Sequence, residues 1–283
     1  MTNNIFNKRL WRDRLNRHQQ EFSKHNFLHE WVDKQITNRL DVIKKEFETV
    51  LYIGHAPTTF ISQNKIKKII HLTASKKTKG HIIGDDEFLP IKDNVLDLII
   101  SPLSLHHAND LLGALIQSQY SLKSDGLFIG ALFGGETLHE LRQSLQQAEM
   151  EIYGGISPRV APFADIKSLG GLMQRTQYAL PVIDSEKVIV EYSDFTKMLH
   201  DLRYMGESNV LLEKKSTPVS KKFWKRAEEI YKEQFSENDK FIATFEIIFL
   251  LGWKPHESQQ KPLQPGSAKN RLADSLNVNE EKL

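Results

Sequence analysis

The sequence contains no cysteine among its 283 residues. This absence excludes disulfides, thiolate nucleophiles and cysteine-ligated zinc, and it suits a reducing compartment. Long hydrophobic runs are missing as well. The longest apolar stretch, residues 245–251, is far shorter than the roughly 20 residues that a membrane-spanning helix needs. The first residues lack the apolar core of a secretory signal.

An excess of charge of one sign is also missing. The chain has 38 Lys and Arg residues against 36 Asp and Glu residues, a formal net charge of +2. This balance argues against a nucleic-acid partner on bulk charge. The length suffices for one large α/β domain, or for such a domain with an inserted cap.

The first 49 residues are predicted to form a helical region. Residues 7–20 are basic, and residues 27–40 carry apolar side chains at helical spacing. We interpret the region as helices packed on the sheet, with Arg9, Arg12 and Arg17 in solvent. A specific anionic partner for these arginines is the alternative.

Residues 50–153 are predicted to be an α/β core, because short apolar runs alternate with helix-period segments. Such alternation implies right-handed crossovers and a mostly parallel sheet. The predicted strands cover residues 50–54, 66–72, 82–83, 95–100 and 127–133, with a turn at 122–126 before the last of them.

Residues 154–255 have a different character. Two late strands, at 188–192 and 241–253, bracket helices at 195–205 and 221–235. The pattern predicts an antiparallel pair at the edge of the sheet and a helical cap over the strand ends. The tail, residues 256–283, has no strong periodicity, and only residues 268–276 suggest a short helix.

A small-molecule site is expected where the parallel strands end, since open α/β sheets bind ligands at that edge. Gly54 follows the first strand, Thr73 ends the second and Asp85 follows the third. A nucleotide site usually has several glycines after the first strand and an acid after the second. These residues alone therefore form a weak nucleotide signature, and a single glycine is more often a simple turn. Asp86 is expected in a solvated turn.

Histidines after the fourth strand are the candidates for proton transfer. Adjacent residues point in different directions, so at most one of His106 and His107 is expected to enter a pocket, and His107 is the catalytic candidate. Three consecutive acids at 85–87 cannot all face one ion, and no other spacing supports a metal site. Arg159 is a cation between two prolines, suited to an anionic substrate or to a surface salt bridge.

The order of motifs VLYIG, IIHLTAS, GDDEFLP, VLDLIISPLSLHHAND and LKSDGLFIGALFGG resembles class I S-adenosylmethionine-dependent methyltransferases. It is nearest the branch with the biotin-pathway malonyl-carrier-protein methyltransferase. The segments NIFNKRLWRDR, ETLHELR, SPRVAPFAD and HESQQKPLQPGSAKNRLADSL are similar to one family. That family is the mitochondrial complex I assembly factor described as a protein-arginine hydroxylase, with its alphaproteobacterial relatives.

The resemblance implies an α/β fold with a seven-stranded, Rossmann-like methyltransferase sheet, late antiparallel edge strands and a helical cap insertion. It implies a protein or carrier-protein substrate, with a respiratory complex I subunit as the candidate. A bacterial cytoplasmic location is expected rather than a mitochondrial one, since the family motif begins near Asn4. The S-adenosylmethionine site that it implies consists of Gly54, Thr73, Asp85, Asp86, Ser101 and Leu103.

The sequence departs from the family pattern in the first-strand loop. Tyr52 replaces an acid, Ala56 and Thr58 replace glycines, and Thr73 stands where the ribose-binding acid is expected. Each lost bond to ribose weakens binding by about 1–3 kcal/mol. Two functions therefore remain open: a methyltransferase-like enzyme, with hydroxylation by resemblance, or a non-catalytic assembly factor with a degenerate cofactor site. No iron-binding triad is recognisable, and a nucleic-acid modifier is the third and weakest alternative.

Overall fold

The computed structural model describes residues 4–55, 65–76, 82–215, 218–260 and 266–267. The first-strand loop at Ala56 and Thr58 and the tail helix expected at 268–276 lie outside these residues. The helices are α1 (Lys8–His18), α2 (Phe22–His25), α3 (Phe27–Asp41), α4 (Leu111–Ser121), α5 (His139–Tyr153), α6 (Ile166–Arg175), α7 (Phe195–Met205) and α8 (Lys221–Phe235). The strands are β1 (Phe47–Ile53), β2 (Ile66–Thr73), β3 (Ile82–Ile83), β4 (Leu96–Pro102), β5 (Leu122–Phe133), β6 (Ala179–Tyr192), β7 (Ser236–Glu237) and β8 (Lys240–Trp253).

One mixed sheet organises the chain, in the order β3-β2-β1-β4-β5-β8-β6, with β7 paired to β8. Strands β1 to β5 are parallel, and β8 runs antiparallel to both β5 and β6. Helices α7 and α8 lie in sequence between β6 and β8. The predicted α/β class with late antiparallel edge strands is confirmed.

Both faces of the sheet are covered, and β1 shows why. Val50 and Tyr52 belong to one buried apolar cluster, whereas Leu51 and Ile53 belong to the cluster on the opposite face. This alternation follows from the two-residue period of a strand. Helices α3, α5, α7 and α8 contribute buried side chains to the first cluster, and α4 and α6 contribute them to the second. A strand buried on both faces has no polar positions to spare, which explains the continuous apolar run.

Two turn signals in the sequence occur inside strands. The predicted turn at 122–126 is the irregular start of β5, where Asp125 has φ of +62° and the register with β4 shifts. Similarly, β6 begins at Ala179, nine residues earlier than predicted, and its register shifts around Leu180, whose φ is +49°. The 14-residue strand β8 lies beside both segments. Its ladder holds them in the sheet despite their turn-forming residues.

Helix α1 packs over the edge where the parallel strands end. Trp11 and Leu15 of α1 are buried in a cluster with Phe6, Val210 and Leu211. The chain before α1 is tied down by a β-bridge between Phe6 and Leu211. The predicted N-terminal helical region is therefore placed at the candidate site rather than on a remote face. Within the described residues, no helix is long and apolar enough to cross a membrane.

Candidate active site

A small cavity, called here the rim cavity, lies where β1, β2 and β4 end. Its volume is about 20 Å³. Three of the predicted cofactor residues, Gly54, Thr73 and Leu103, line it. The opposite wall comes from the cap and the first helix. The other lining residues are Trp11, Leu15, His55, Ala74, Ser104, Met205 and Glu207.

Gly54 turns the chain sharply at the end of β1. Its φ of +131° is a backbone conformation that side chains with a Cβ rarely adopt. A Cβ at this position would also lie 3.4 Å from the carbonyl oxygen of Pro102. Glycine is therefore required by the turn itself, whether or not a ligand approaches the backbone.

The acidic residues after β3 are tied to helix α1. Lys8 Nζ lies 3.2 Å from Asp85, 2.8 Å from Asp86 and 3.1 Å from Glu87, and Arg12 forms a further ion pair with Asp85. The expectation of a solvated Asp86 was wrong, because this residue is only 4% exposed. Burial raises the pKa of Asp86 to about 6, although Lys8 acts in the opposite direction.

The remaining predicted cofactor residues differ in their positions. Asp86 accepts a hydrogen bond of 2.7 Å from Ser104, a residue that lines the rim cavity. Ser101 is fully buried near the end of β4 and does not line that cavity. Asp85 faces the cations of α1. The predicted residues thus cluster at one edge of the sheet, but α1 already satisfies the acids among them.

S-adenosylmethionine does not fit the rim in the arrangement of the described residues. Ligand pockets generally measure about 300–1,000 Å³, far more than the rim cavity. Trp11 and Leu15 stand over the ends of the strands, and Lys8 occupies the acids that could accept from a nucleoside. Tyr52, at the position of the missing acid, donates its hydroxyl to Asp33 instead. Binding of this cofactor would require α1 to move away.

A much larger pocket, called here the inner pocket, lies beside the rim. It measures about 530 Å³ and has mostly apolar walls from α5, α7 and the segment around Phe163. Among its lining residues are Leu141, Leu145 and Leu199. Glu207 lines both the inner pocket and the rim cavity, and His107 also lines the inner pocket. The two spaces therefore meet at one buried carboxyl group.

Glu207 lies against two histidines. Its Oε2 is 3.1 Å from His106 Nε2 and 3.7 Å from His107 Nε2. Burial raises the pKa of the Glu207 carboxyl to about 7 and lowers the pKa of both imidazoles to about 3. Near neutral pH, both imidazoles are therefore neutral and Glu207 titrates.

The expectation that at most one of the adjacent histidines faces a site needs correction. Only His107 lines the inner pocket, but both rings direct a nitrogen toward Glu207. The reason is the short 3₁₀ helix over Leu105–His107, together with Glu207 reaching in from the end of α7. His106 Nδ1 has no hydrogen-bond partner among the described residues.

Sequence reasoning missed Glu207 and the surface beyond it. A second space of about 530 Å³, called here the outer pocket, opens beside the inner pocket and shares Arg159 and Arg203 with it. Arg14, Arg17 and Lys214 also line the outer pocket. The only sequence signal for Glu207 was the helix-ending Gly206 before it, which has a φ of +94°.

Arg159 is held by a buried acid. Glu149 is fully buried and lies 3.0 Å from Arg159 and 3.0 Å from Lys215. Its carboxylate also accepts hydrogen bonds from the backbone and hydroxyl of Ser157. Of the two predictions for Arg159, the salt bridge is present. The pair fixes the 157–159 segment between the two large pockets.

Comparison with known proteins agrees with this fold. A family model described as a methyltransferase domain matches residues 59–130. The solved structure of phosphoethanolamine N-methyltransferase 2 from Haemonchus contortus, in complex with S-adenosyl-L-methionine, superposes with a TM-score of 0.50. It is 14% identical, and the match covers 87% of this chain and 60% of that chain. The fold is that of the class I S-adenosylmethionine-dependent methyltransferases.

Two curated relatives narrow the class. Arginine-hydroxylase NDUFAF5, mitochondrial, from Danio rerio is 38% identical over 267 residues, which cover 89% of this chain and 83% of the relative. Malonyl-[acyl-carrier protein] O-methyltransferase from Nitrosospira multiformis is 31% identical over 175 residues, covering 62% of this chain and 55% of the relative. The chain belongs to the arginine-hydroxylase NDUFAF5 family.

Proposed function

We propose that the protein is an enzyme that modifies an arginine side chain of a protein substrate, a subunit of respiratory complex I. Family membership supports the residue type, because the relatives are named arginine hydroxylases. The observation that carries the proposal is the position of Glu207, which lines both the inner pocket and the rim cavity. A side chain inserted into the inner pocket would end beside the edge at which this fold class carries out its chemistry.

The size and walls of the inner pocket suit a long side chain. Its 530 Å³ lies within the usual range for ligand pockets. Leu141, Leu145 and Leu199 supply apolar surface for a methylene stem, and polar groups are concentrated around Glu207 and His107. An apolar channel with a few polar groups at its inner end fixes the orientation of the inserted chain.

The outer pocket suits an acidic segment of the substrate. None of Arg14, Arg17, Arg203 and Lys214 forms an ion pair within the part of the chain that the structure describes, whereas Arg39 and Arg226 each meet two or more acids. Burial and the neighbouring arginines lower the pKa of Arg14. Acidic residues flanking the target arginine would relieve this repulsion.

A non-catalytic assembly factor is the second candidate. The filled rim cavity favours it, since a protein that had lost its cofactor could keep Trp11 and Leu15 in that space. The two candidates differ in whether α1 can leave the rim. In the enzyme, S-adenosylmethionine binds after α1 has moved, and the ion pairs of Lys8 must then be exchanged for contacts with solvent or ligand.

Mass spectrometry of substrate peptides tests the proposal. Arginine-containing acidic peptides from complex I subunits of the source organism are incubated with the protein, S-adenosylmethionine, Fe²⁺, a 2-oxo acid and air. The proposal predicts a gain of one oxygen atom or one CH₂ group on an arginine. Leu199→Trp, which fills the inner pocket, should abolish the change, whereas Leu212→Trp, at a half-exposed surface position, should not. Unmodified peptides throughout, together with tight peptide binding, would favour the assembly factor.

A further inference from the structure

His106, His107 and Glu207 form a compact set of metal-ligand types. One ligand atom from each residue lies within 4.8 Å of the other two. All three side chains are shielded from bulk water, with exposed fractions of 1%, 4% and 9% respectively. Two histidines and one carboxylate are the protein ligands of mononuclear non-haem Fe(II) oxygenases, which leave further coordination positions open.

The distances are close to those of a bound ion. Ligand atoms at about 2.0–2.2 Å from one metal lie roughly 3.0–3.4 Å apart in octahedral-facial or tetrahedral arrangements. Glu207 Oε2 is 3.1 Å from His106 Nε2 and 3.7 Å from His107 Nε2. Movements of a few tenths of an ångström would therefore bring all three atoms to one ion.

Both imidazole rings are held in place by aromatic neighbours. The ring centroid of His106 lies 4.7 Å from that of Phe133, and the His107 ring lies 5.5 Å from both Phe6 and Trp11. Little rotamer freedom remains to be lost when a ligand binds. Rigid support of this kind is what a preorganised coordination site needs.

The open side of the set faces the inner pocket. His107 and Glu207 both line that pocket, so positions not taken by protein ligands would be accessible to small molecules and to an inserted side chain. The acids at 85–87 make a poorer site, because Lys8 and Arg12 already pair with them. Those two cations meet three carboxylates, so the neighbouring cluster adds no formal net positive charge.

We infer that His106, His107 and Glu207 bind one divalent first-row transition-metal ion, with Fe²⁺ as the best match to the ligand set. Metal binding stands independently of the proposed function; only the use of the ion in modifying arginine rests on it. The sequence gave no sign of this site, because two of the ligands are adjacent and the third lies 100 residues later in the chain.

Anaerobic titration of the full chain, freed of metal by a chelator and carrying no histidine tag, tests the inference. Fe²⁺ binding is followed by calorimetry, and Co²⁺ serves as an absorption probe of the ligand geometry. We expect one ion per chain, and Glu207→Gln or His107→Phe should weaken binding by at least about 100-fold. His107→Phe keeps a ring between Phe6 and Trp11, which preserves the packing if the other variant fails to fold.

His200→Gln is the matched control, because His200 lines the same pocket but lies outside the ligand set. This variant should bind the ion as the wild type does. The inference is overturned if the wild type binds neither ion at millimolar concentration, or if a folded His107→Phe protein binds as tightly as the wild type. No substrate or S-adenosylmethionine is present, so a failure of the proposed function does not affect this result.

Discussion

Lys8 Nζ lies 2.8 Å from Asp86 Oδ1, so an ammonium on the first helix is paired with a buried carboxyl group 78 residues later. The same ammonium reaches Asp85 and Glu87. This contact closes the rim of the sheet, since the helix that carries Lys8 also places Trp11 and Leu15 over the strand ends.

Lys8→Ala is predicted to open the rim. Removing one partner of a buried ion pair costs about 3 kcal/mol, so the variant should unfold at lower urea concentration than the wild type. Because the closed arrangement loses this energy, the variant should bind S-adenosylmethionine more tightly in calorimetry. Lys24→Ala, which breaks the exposed pair with Glu21, is the control and should change neither quantity. Equal cofactor affinity in Lys8→Ala and wild type would show that α1 does not restrict the rim.

Gly54→Ala is predicted to destabilise the turn after β1 by about 1–3 kcal/mol, because its φ of +131° is strained for alanine. Gly171→Ala is a suitable comparison, since that glycine lies in α6 and a Cβ there meets nothing within 4 Å. It should raise stability by about 0.5–1 kcal/mol through helix propensity. Thermal or urea unfolding of both variants checks the contrast, and equal effects would mean that the turn is more adaptable than its geometry indicates.

Glu149→Gln is predicted to cost about 2–3 kcal/mol, the usual loss for a buried charged hydrogen-bonding group. Burial alone would raise the pKa of Glu149, but hydrogen bonds from Arg159, Ser157 and Lys215 outweigh it and lower the pKa to about 2. A lowered carboxyl pKa stabilises the fold above the ordinary value of 4.5, and this stabilisation is lost as the pH falls toward 2. The difference between wild type and variant should therefore shrink across that interval.

Urea unfolding between pH 7 and pH 3 measures this dependence. Glu151→Gln provides the comparison, because Glu151 pairs with Arg226 on the exposed face of α5 and should leave stability nearly unchanged. A stability difference for Glu149→Gln that stayed constant over the whole range would contradict the lowered pKa.

Reversing charge in the outer pocket is predicted to weaken binding of acidic substrate peptides. Arg17→Glu and Arg203→Glu should each reduce affinity about tenfold at low salt, and the loss should diminish as salt screens the charges. Lys232→Glu, an exposed position on α8 away from the pocket lining, should have no effect. Fluorescence anisotropy with acidic and lysine-flanked arginine peptides makes the measurement. A preference for the lysine-flanked peptide would contradict an acidic partner.

The fold was largely predictable because its elements have strong local signals. Residues 195–205 and 221–235 were predicted as helices and coincide with α7 and α8. Side-chain caps from Asp194 and Ser220 define where each helix begins. The early starts of β5 and β6 were missed, because pairing with the long strand β8 overrides turn-forming residues.

The candidate site was less predictable, since its contacts join distant parts of the chain. Asp86 looked solvated because nothing near it in sequence indicates that Lys8 will cover it. Glu207 carried no motif, and only the packing of the end of α7 against the 3₁₀ helix brings it to His106. Charge and burial at such positions depend on tertiary structure, which local periodicity does not encode.

Photocrosslinking tests the central claim, that the inner pocket receives the substrate side chain beside Glu207. An acidic peptide with a photoreactive residue in place of the target arginine is bound, irradiated and mapped by mass spectrometry. The account predicts crosslinks to the pocket-lining parts of α5 and α7 and to residues 207–210, and their loss in Leu199→Trp. Crosslinks confined to α4, α6 or the exposed face of β6, unchanged in that variant, would contradict it.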